Sequence, residues 1–171
     1  MNWQRTWLMP DRIVISNTTP IIALALVQRL DLLHTLYGEV WIPPAVAAEL
    51  QAGGARAGAA ELATASYIQT IALNDPRRAD LLSDLDRGEA EVIALAQEHN
   101  ADLVIIDERL GRRHARRLGL RITGVLGVLL KAKQLGHLDA VRPYVDQMQQ
   151  DGIRLSAALV QRVLELAGEA E

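Results

Sequence analysis

The feature that most constrains the fold is a short apolar run at residues 103–106, followed directly by an acidic residue. Its unbroken, β-branched character is typical of a strand buried on both faces, as in a parallel sheet covered by helices. Asp107 would then lie at the carboxyl end of that strand, where open α/β sheets place their ligand sites. The run therefore predicts a fold class and the edge at which to look for function.

The segment after this acid, residues 108–118, predicts a helix with a basic face. Its arginines recur at i, i+3, i+4 and i+7, at Arg109, Arg112, Arg113 and Arg116. Arginine presents a planar fork that matches phosphate, although such a face is equally typical of a solvated helix that forms ion pairs. The net charge of −3 excludes a chain that is basic throughout. A carboxylate beside a local basic face suits a metal ion and a polyanion.

Strand-like and helix-like segments alternate along the chain, which favours a mostly parallel sheet in a three-layer α/β/α sandwich. The predicted strands are 12–16, 39–42, 67–71, 103–106 and 120–123. The predicted helices are 21–30, 31–37, 43–50, 59–64, 77–85, 86–99, 108–118 and 125–135. At the first of these helices, Thr19 is the expected N-cap and Pro20 the first helical residue. Segments 139–150 and 156–167 predict a C-terminal helical hairpin.

The length of 171 residues is that of one domain with a full core. Residues 1–11 carry two tryptophans without a periodic pattern, and we interpret them as an N-terminal extension, with Met9 as a candidate natural start. Residues 12–171 are predicted to form a single domain that includes the helices at 139–167. Residues 51–58 are rich in glycine and alanine, which favours a flexible connection.

Composition excludes several classes of protein. No apolar run approaches the roughly 18 residues that a membrane span requires, and the N-terminus lacks the apolar core of a signal peptide. Cysteine is absent, so disulfides and thiolate metal sites are excluded. These features predict a cytoplasmic protein without a membrane partner.

The motifs of several familiar enzyme classes are missing. The turn after the first strand contains no glycine, which disfavours a P-loop and a dinucleotide site. It also lacks the acidic pair of a phosphoacceptor receiver domain. No serine lies in a nucleophile elbow, and the four histidines share no metal-ligand spacing. The remaining candidates are polar residues after strands or near helix starts, namely Asn17, Glu49, Glu89 and Asp107.

Each candidate also has a purely structural interpretation. Asp86 and Glu89 have the spacing of a helix capping box, and Asp107 is placed to cap the helix that follows it. Glu49 is typical of an exposed helix residue, and Asn17 of an Asx-turn. Their joint pattern, rather than any one residue, favours a site.

Two further acids are secondary candidates. Glu91 lies about 200° around the helix from Glu89, so we expect it to be solvated. Glu108 directly follows Asp107.

Four segments carry a family resemblance: 13–20, 43–50, 86–96 and 103–108. In this order, and with a compatible βα pattern, they resemble the PIN-domain superfamily. Segments 111–120 and 122–130 resemble a prokaryotic branch close to VapC-type toxins. The resemblance covers roughly residues 12–168.

The resemblance implies a metal-dependent ribonuclease, the toxin of a toxin–antitoxin pair, that uses Mg²⁺ or Mn²⁺. It implies a homodimer with an RNA substrate and a cognate antitoxin protein as partners. The metal ligands map to Asn17, Glu49, Glu89 and Asp107, of which the three acids are catalytic. The arginines at 109, 112, 113 and 116 would then bind the RNA backbone, where phosphate contacts position the substrate.

Asn17 departs from the superfamily, which usually has aspartate at that position. An amide oxygen is able to ligate Mg²⁺ but supplies no charge, so we expect weaker metal binding than in a four-acid site. The alternative is a catalytically weakened PIN-like module that binds RNA or a partner protein.

Overall fold

The structure is a computed structural model that describes residues 12–53 and 59–171. The predicted extension at 1–11 and residues 54–58 of the predicted connection lie outside this range. The strands are β1 (Val14–Ser16), β2 (Val40–Ile42), β3 (Ile68–Thr70), β4 (Leu103–Ile105) and β5 (Ile122–Thr123). The helices are α1 (Thr18–Leu26), α2 (Asp31–Tyr37), α3 (Pro44–Ala52), α4 (Ala59–Thr64), α5 (Arg77–Asp80), α6 (Arg87–Glu98), α7 (Arg109–Arg117), α8 (Val125–Gln134), α9 (Arg142–Gln150) and α10 (Ala157–Leu166).

The five strands form one sheet in the order β3-β2-β1-β4-β5, and every pair is parallel. At the centre of the sheet, Ile15 pairs with Trp41 on one side and with Val104 on the other. β1 and β4 are buried along their whole length, as their continuous apolar sequences require. The predicted α/β class is confirmed, and the two buried strands bring their carboxyl ends side by side.

Two helices organise the packing around this sheet. α6 contacts β1 and β4, and α3, α5 and α7 pack against it. α8 contacts β5, and α1, α2 and α10 pack against it. α6 is buried from Gly88 to Ala96, which is unusual for a helix that carries two acids in that stretch. Those acids must therefore have partners inside the fold.

Several element boundaries differ from the prediction. α1 begins at Thr18 with Asn17 as its N-cap, not at Pro20 with Thr19 as its N-cap; proline is tolerated throughout the first turn, where backbone N–H groups have no helical partner. α1 also ends early, at Leu26, before Gln28 adopts a positive φ of 57°. α5 is one turn long rather than extending to residue 85, and the predicted helix at 139 starts at Arg142.

Among the described residues, no single helix is long and apolar enough to cross a membrane; α1 and α2 pass that test only as a pair bent by 117°.

Candidate active site

Asn17 follows β1 at the carboxyl edge of the sheet. Its backbone N–H donates to Ile105 O at 2.9 Å, which joins it to the end of β4. The residue is 4 % exposed, yet its side chain does not cap α1. Within the described part of the chain the amide forms no hydrogen bond. An Asx-turn is therefore not formed, and the amide is available to a ligand.

Glu49 reaches this edge from the second half of α3. Its Oε2 accepts a hydrogen bond of 2.5 Å from Thr18 Oγ1, in the first turn of α1. Its Oε1 lies so close to Gly88 that a Cβ atom at that glycine would overlap it. Glu49 is exposed as a residue, as its structural interpretation predicts, but its carboxylate is held between α1 and α6.

Glu89 forms the capping box predicted with Asp86 at the start of α6. Glu89 N donates to Asp86 Oδ1 at 2.8 Å, and Asp86 N donates to Glu89 Oε2 at 3.2 Å. The other carboxylate oxygen lies near Gly111, where a Cβ atom would be 3.3 Å away. Capping therefore uses one oxygen of Glu89 and leaves the second at the edge of the sheet.

The surroundings of Glu89 are acidic as well as buried. Burial raises the pKa of Glu89, and repulsion from Asp86, Glu108 and Glu49 raises it further, against the lowering effect of the hydrogen bond from Asp86 N. Contacts also place these acids on one side of the domain: adjacent Thr18 and Thr19 donate to Glu49 and Glu108, and Glu49 lies against Gly88, the residue before Glu89. We refer to Asn17, Glu49, Asp86, Glu89, Asp107 and Glu108 as the acidic edge.

Among the residues of the acidic edge, Asp107 has the pKa that is shifted furthest from its ordinary value. Burial raises its pKa to about 6, although hydrogen bonding by Val125 N and the charge of Arg112 both oppose this rise. Val125 N donates to both carboxylate oxygens, at 3.1 and 3.2 Å. Asp107 therefore binds the N-terminus of α8. The expectation that it caps the next helix is wrong, because Glu108 is the N-cap residue of α7.

The predicted basic face of α7 divides into two environments. Arg109, Arg113 and Arg116 are exposed. Arg112 is partly buried, and its Nη1 donates to Ile106 O at 2.8 Å, which places its charge next to Asp107. Burial lowers the pKa of this guanidinium. An RNA-binding role for the four arginines stays a prediction, but Arg112 would have to act at the acidic edge itself.

Glu91 corrects one expectation from the sequence. It is 7 % exposed rather than solvated. Its carboxylate accepts a hydrogen bond of 3.2 Å from Ala45 N, in the first turn of α3, and lies 3.7 Å from Arg87 Nε. The N-cap of α3 is Pro43, whose side chain cannot accept a hydrogen bond, so Glu91 supplies the missing acceptor. It thereby joins α6 to the helix that carries Glu49.

Two threonines of the first turn of α1 were missed from the sequence. Thr18 binds Glu49, and Thr19 Oγ1 donates to Glu108 Oε1 at 3.0 Å. Their position directly after Asn17 was the available signal. The sequence could not show which carboxylates they would bind, because those lie 31 and 89 residues away.

The donor set of the acidic edge suits a hard divalent cation. Its members offer only carboxylate and amide oxygens, which Mg²⁺ and Mn²⁺ prefer, and the side-chain amide of Asn17 has no hydrogen bond to any described residue. No three Asp, Glu or His side chains among the described residues are arranged to hold a metal ion directly. Coordination would thus require carboxylates to rotate from their present partners, such as Thr18 and Val125 N.

Fold and site together define a parallel α/β domain with acids gathered at the carboxyl ends of its buried strands. The family model DUF3368, a PIN domain, matches residues 13–169, and the chain therefore belongs to the PIN-domain superfamily. PIN domains are generally nucleases and generally use divalent metal ions. The membership predicted from the motifs is confirmed, whereas closeness to VapC-type toxins stays a prediction. No curated protein matches the chain.

Proposed function

We propose that this protein is an Mg²⁺- or Mn²⁺-dependent endoribonuclease that acts as the toxin of a toxin–antitoxin pair. The observation that carries the nuclease proposal is that acids from three elements meet at the first turn of α1. Thr18 and Thr19 donate to Glu49 and Glu108, and Glu49 lies against Gly88, the residue before Glu89. Burial and these neighbouring acids together raise the pKa of Glu89. Repulsion among carboxylates raises the free energy of the free protein, and a divalent cation would relieve it. A phosphodiester substrate is also compatible with the arginines of α7, which begin two residues after Asp107.

The residues of the acidic edge would have different roles. Glu49, Glu89 and Asp107 would hold the metal as the catalytic acids, with Asn17 as a neutral ligand. When bound, the cation supplies Lewis-acid stabilisation to displacement at phosphorus. Arg112 has further N–H groups besides the one on Ile106 O. These could donate to a phosphate oxygen next to Asp107.

The direct test is cleavage of RNA by the purified protein in the presence of Mn²⁺ or Mg²⁺. We expect cleavage with either ion and its loss when a chelator removes the metal. A protein that binds Mn²⁺ but leaves every RNA intact would contradict the proposal.

The second candidate function is a weakened PIN-like module that binds RNA or a partner protein, and Asn17 is the residue that favours it. We expect Asn17→Asp to bind Mn²⁺ more tightly than the natural protein, because aspartate is nearly isosteric and restores one charge. Its metal-free form should be less stable, since a further acid adds to the repulsion. Calorimetric Mn²⁺ titration and thermal unfolding of both forms measure these effects. Equal or weaker binding by the aspartate form would favour the binding module.

The exposed arginines of α7 are proposed to contact the RNA backbone. Each phosphate contact contributes about 0.7 to the log–log slope of affinity against salt for single strands. We therefore expect the variant Arg113→Ala/Arg116→Ala to have a slope shallower by about 1.4. Arg154→Ala, which removes an exposed arginine outside α7, is the control and should leave the slope unchanged. An unchanged slope in the double variant would identify the α7 arginines as an ordinary solvated face.

The proposed function also includes an oligomeric state, a protein partner and a cellular location. A homodimer and a cognate antitoxin are supported by the resemblance of segments 111–120 and 122–130 to the toxin branch, and a cytoplasmic location by the lack of cysteine in the sequence. Sedimentation analysis of the purified chain, alone and with a co-expressed partner, tests the assembly.

A further inference from the structure

Three carboxylates of the acidic edge each rest against a different glycine. Gly88 faces Glu49, Gly111 faces Glu89, and Gly124 faces Asp107. None of the three glycines has a positive φ, so the backbone conformation does not require glycine there. What these positions require is the space that a Cβ atom would fill.

Gly88 is the clearest case, because local structure favours alanine over glycine. It is the second residue of α6, where alanine would be the better helix former. A Cβ atom would overlap Oε1 of Glu49 and lie 3.3 Å from Oε2. The overlapped group is the end of a flexible side chain, so a methyl group would displace the carboxylate without disturbing the core.

Gly124 makes the corresponding contact on the other side of the site. As the N-cap of α8 it has φ −122° and ψ −176°, an extended conformation open to any residue. A Cβ atom would overlap Oδ1 of Asp107 and lie 3.2 Å from Arg112 Nη1. The methyl group would therefore press on the one acid whose pKa burial raises most and on the cation beside it.

Gly111 is less informative, because a Cβ atom there would also collide with Ile106, a fully buried core residue. Substitution at that position would disturb packing as well as Glu89. Only at Gly88 and Gly124 would a methyl group meet the carboxylate without colliding with the core.

We propose that Gly88 and Gly124 are positioning residues, which leave room for the carboxylates of Glu49 and Asp107 against the backbone and so keep these carboxylates at the acidic edge. The role of these carboxylates in metal binding rests on the proposed function, whereas their displacement by a methyl group does not. At both glycines the carboxylate lies directly against the backbone. It is therefore closer to the N-terminus of α6 or α8, whose partial positive charge favours carboxylates.

The test compares Gly88→Ala and Gly124→Ala with Gly127→Ala as the matched control. A Cβ atom at Gly127, in the first turn of α8, would overlap the hydroxyl of Thr123 and no carboxylate. Side-chain carboxyl signals in ¹³C NMR spectra of the metal-free proteins report the positions of Glu49 and Asp107. Thermal unfolding and Mn²⁺ calorimetry are measured on the same samples.

We expect Gly88→Ala to shift the carboxyl signal of Glu49, and Gly124→Ala that of Asp107, with neither shift in the control. Mn²⁺ affinity should fall about 10- to 100-fold in each, the range found when groups that orient metal ligands are lost. The melting temperature of Gly88→Ala should stay unchanged or rise, because alanine favours the helix. If the glycine had a purely structural role, its replacement would instead lower the melting temperature.

Unshifted carboxyl signals in both variants, or equal shifts in Gly127→Ala, would overturn the proposal. The outcomes also separate it from the proposed function. Shifted signals in a protein that neither binds Mn²⁺ nor cleaves RNA would sustain the positioning role and refute the nuclease. RNA cleavage by the natural protein, together with unshifted carboxyl signals in the two variants, would sustain the nuclease and refute the positioning role.

Discussion

We expect Glu89→Gln to lower the rate of RNA cleavage at least about 100-fold while the protein stays folded. Loss of a residue that merely orients a metal ligand lowers metal affinity or activity by about 10- to 100-fold, and loss of a ligand's charge should have no smaller effect. Glutamine is also accepted at this position of a capping box, so the bond to Asp86 N is kept. Initial cleavage rates, Mn²⁺ titration and thermal unfolding measure the three parts of this prediction.

Glu98→Gln is the matched control, because it removes a carboxylate from the other end of the same helix. Glu98 accepts hydrogen bonds of 2.8 Å from the N–H groups of Asn74 and Asp75, and so holds the loop before α5. This variant should lose some stability but cleave RNA at the natural rate when folded. If Glu89→Gln also cleaves at the natural rate, Glu89 is only a capping residue.

The second large effect concerns stability: Asp107→Asn should unfold less readily than the natural protein at pH 7. Burial raises the pKa of Asp107 from 3.8 to about 6, so the folded state holds the proton more tightly than the unfolded state. The stability of the natural protein therefore falls as pH rises between these values. The loss corresponds to roughly 3 kcal/mol at pH 7, an upper limit to the gain from asparagine.

Urea unfolding between pH 4 and pH 8 measures this effect. The difference in unfolding free energy between Asp107→Asn and the natural protein should grow as pH rises toward about 6 and then level off. Asparagine still offers Val125 N one oxygen, so the start of α8 keeps an acceptor. A difference independent of pH would mean that Asp107 ionises normally in the folded protein.

Asp84→Asn is the control, because its effect on the free energy of unfolding should have the opposite sign. The hydrogen bond with His114 lowers the pKa of Asp84, so its ionised form stabilises the fold above the unfolded pKa. Its replacement should reduce stability at neutral pH rather than increase it. A gain in both variants would point to a general effect of removing negative charge.

The same substitution at Asp107 should abolish cleavage while it stabilises the protein. Residues at functional sites are commonly retained at the expense of stability. For the same reason, Mn²⁺ affinity of the natural protein should weaken below about pH 6, where Asp107 takes up a proton. Gain of stability with loss of function in one variant would distinguish an active-site acid from a structural cap.

The parts of this protein that could be predicted from the sequence depend on neighbours along the chain. The buried strand β4 follows from an unbroken apolar run, and the capping box of α6 joins residues three positions apart. The order of strands and helices also predicts a parallel sheet, because consecutive βα units repeat. The carboxyl edge as the place of the acids follows from that geometry, since parallel strands end on the same side.

The partners of the acids depend instead on how helices pack across the sheet. Glu91 binds an amide 46 residues away and Asp107 one 18 residues away, and both were assigned other environments from local pattern. Arg112 has the same spacing as its exposed neighbours, yet its position over Ile106 turns it inward. Helical periodicity shows which residues share a face but not which neighbour covers part of that face.

The contacts between glycines and carboxylates most clearly separate what neighbours along the chain determine from what the packing of helices determines. Nothing near Gly88 in sequence requires glycine, because its backbone is helical and alanine would suit the helix better. The requirement arises only when α3 packs against α6 and brings the carboxylate of Glu49 onto that backbone. The chain order thus predicts that polar residues follow the strands at one edge of the sheet, and the packing of helices sets how closely each carboxylate approaches its neighbours.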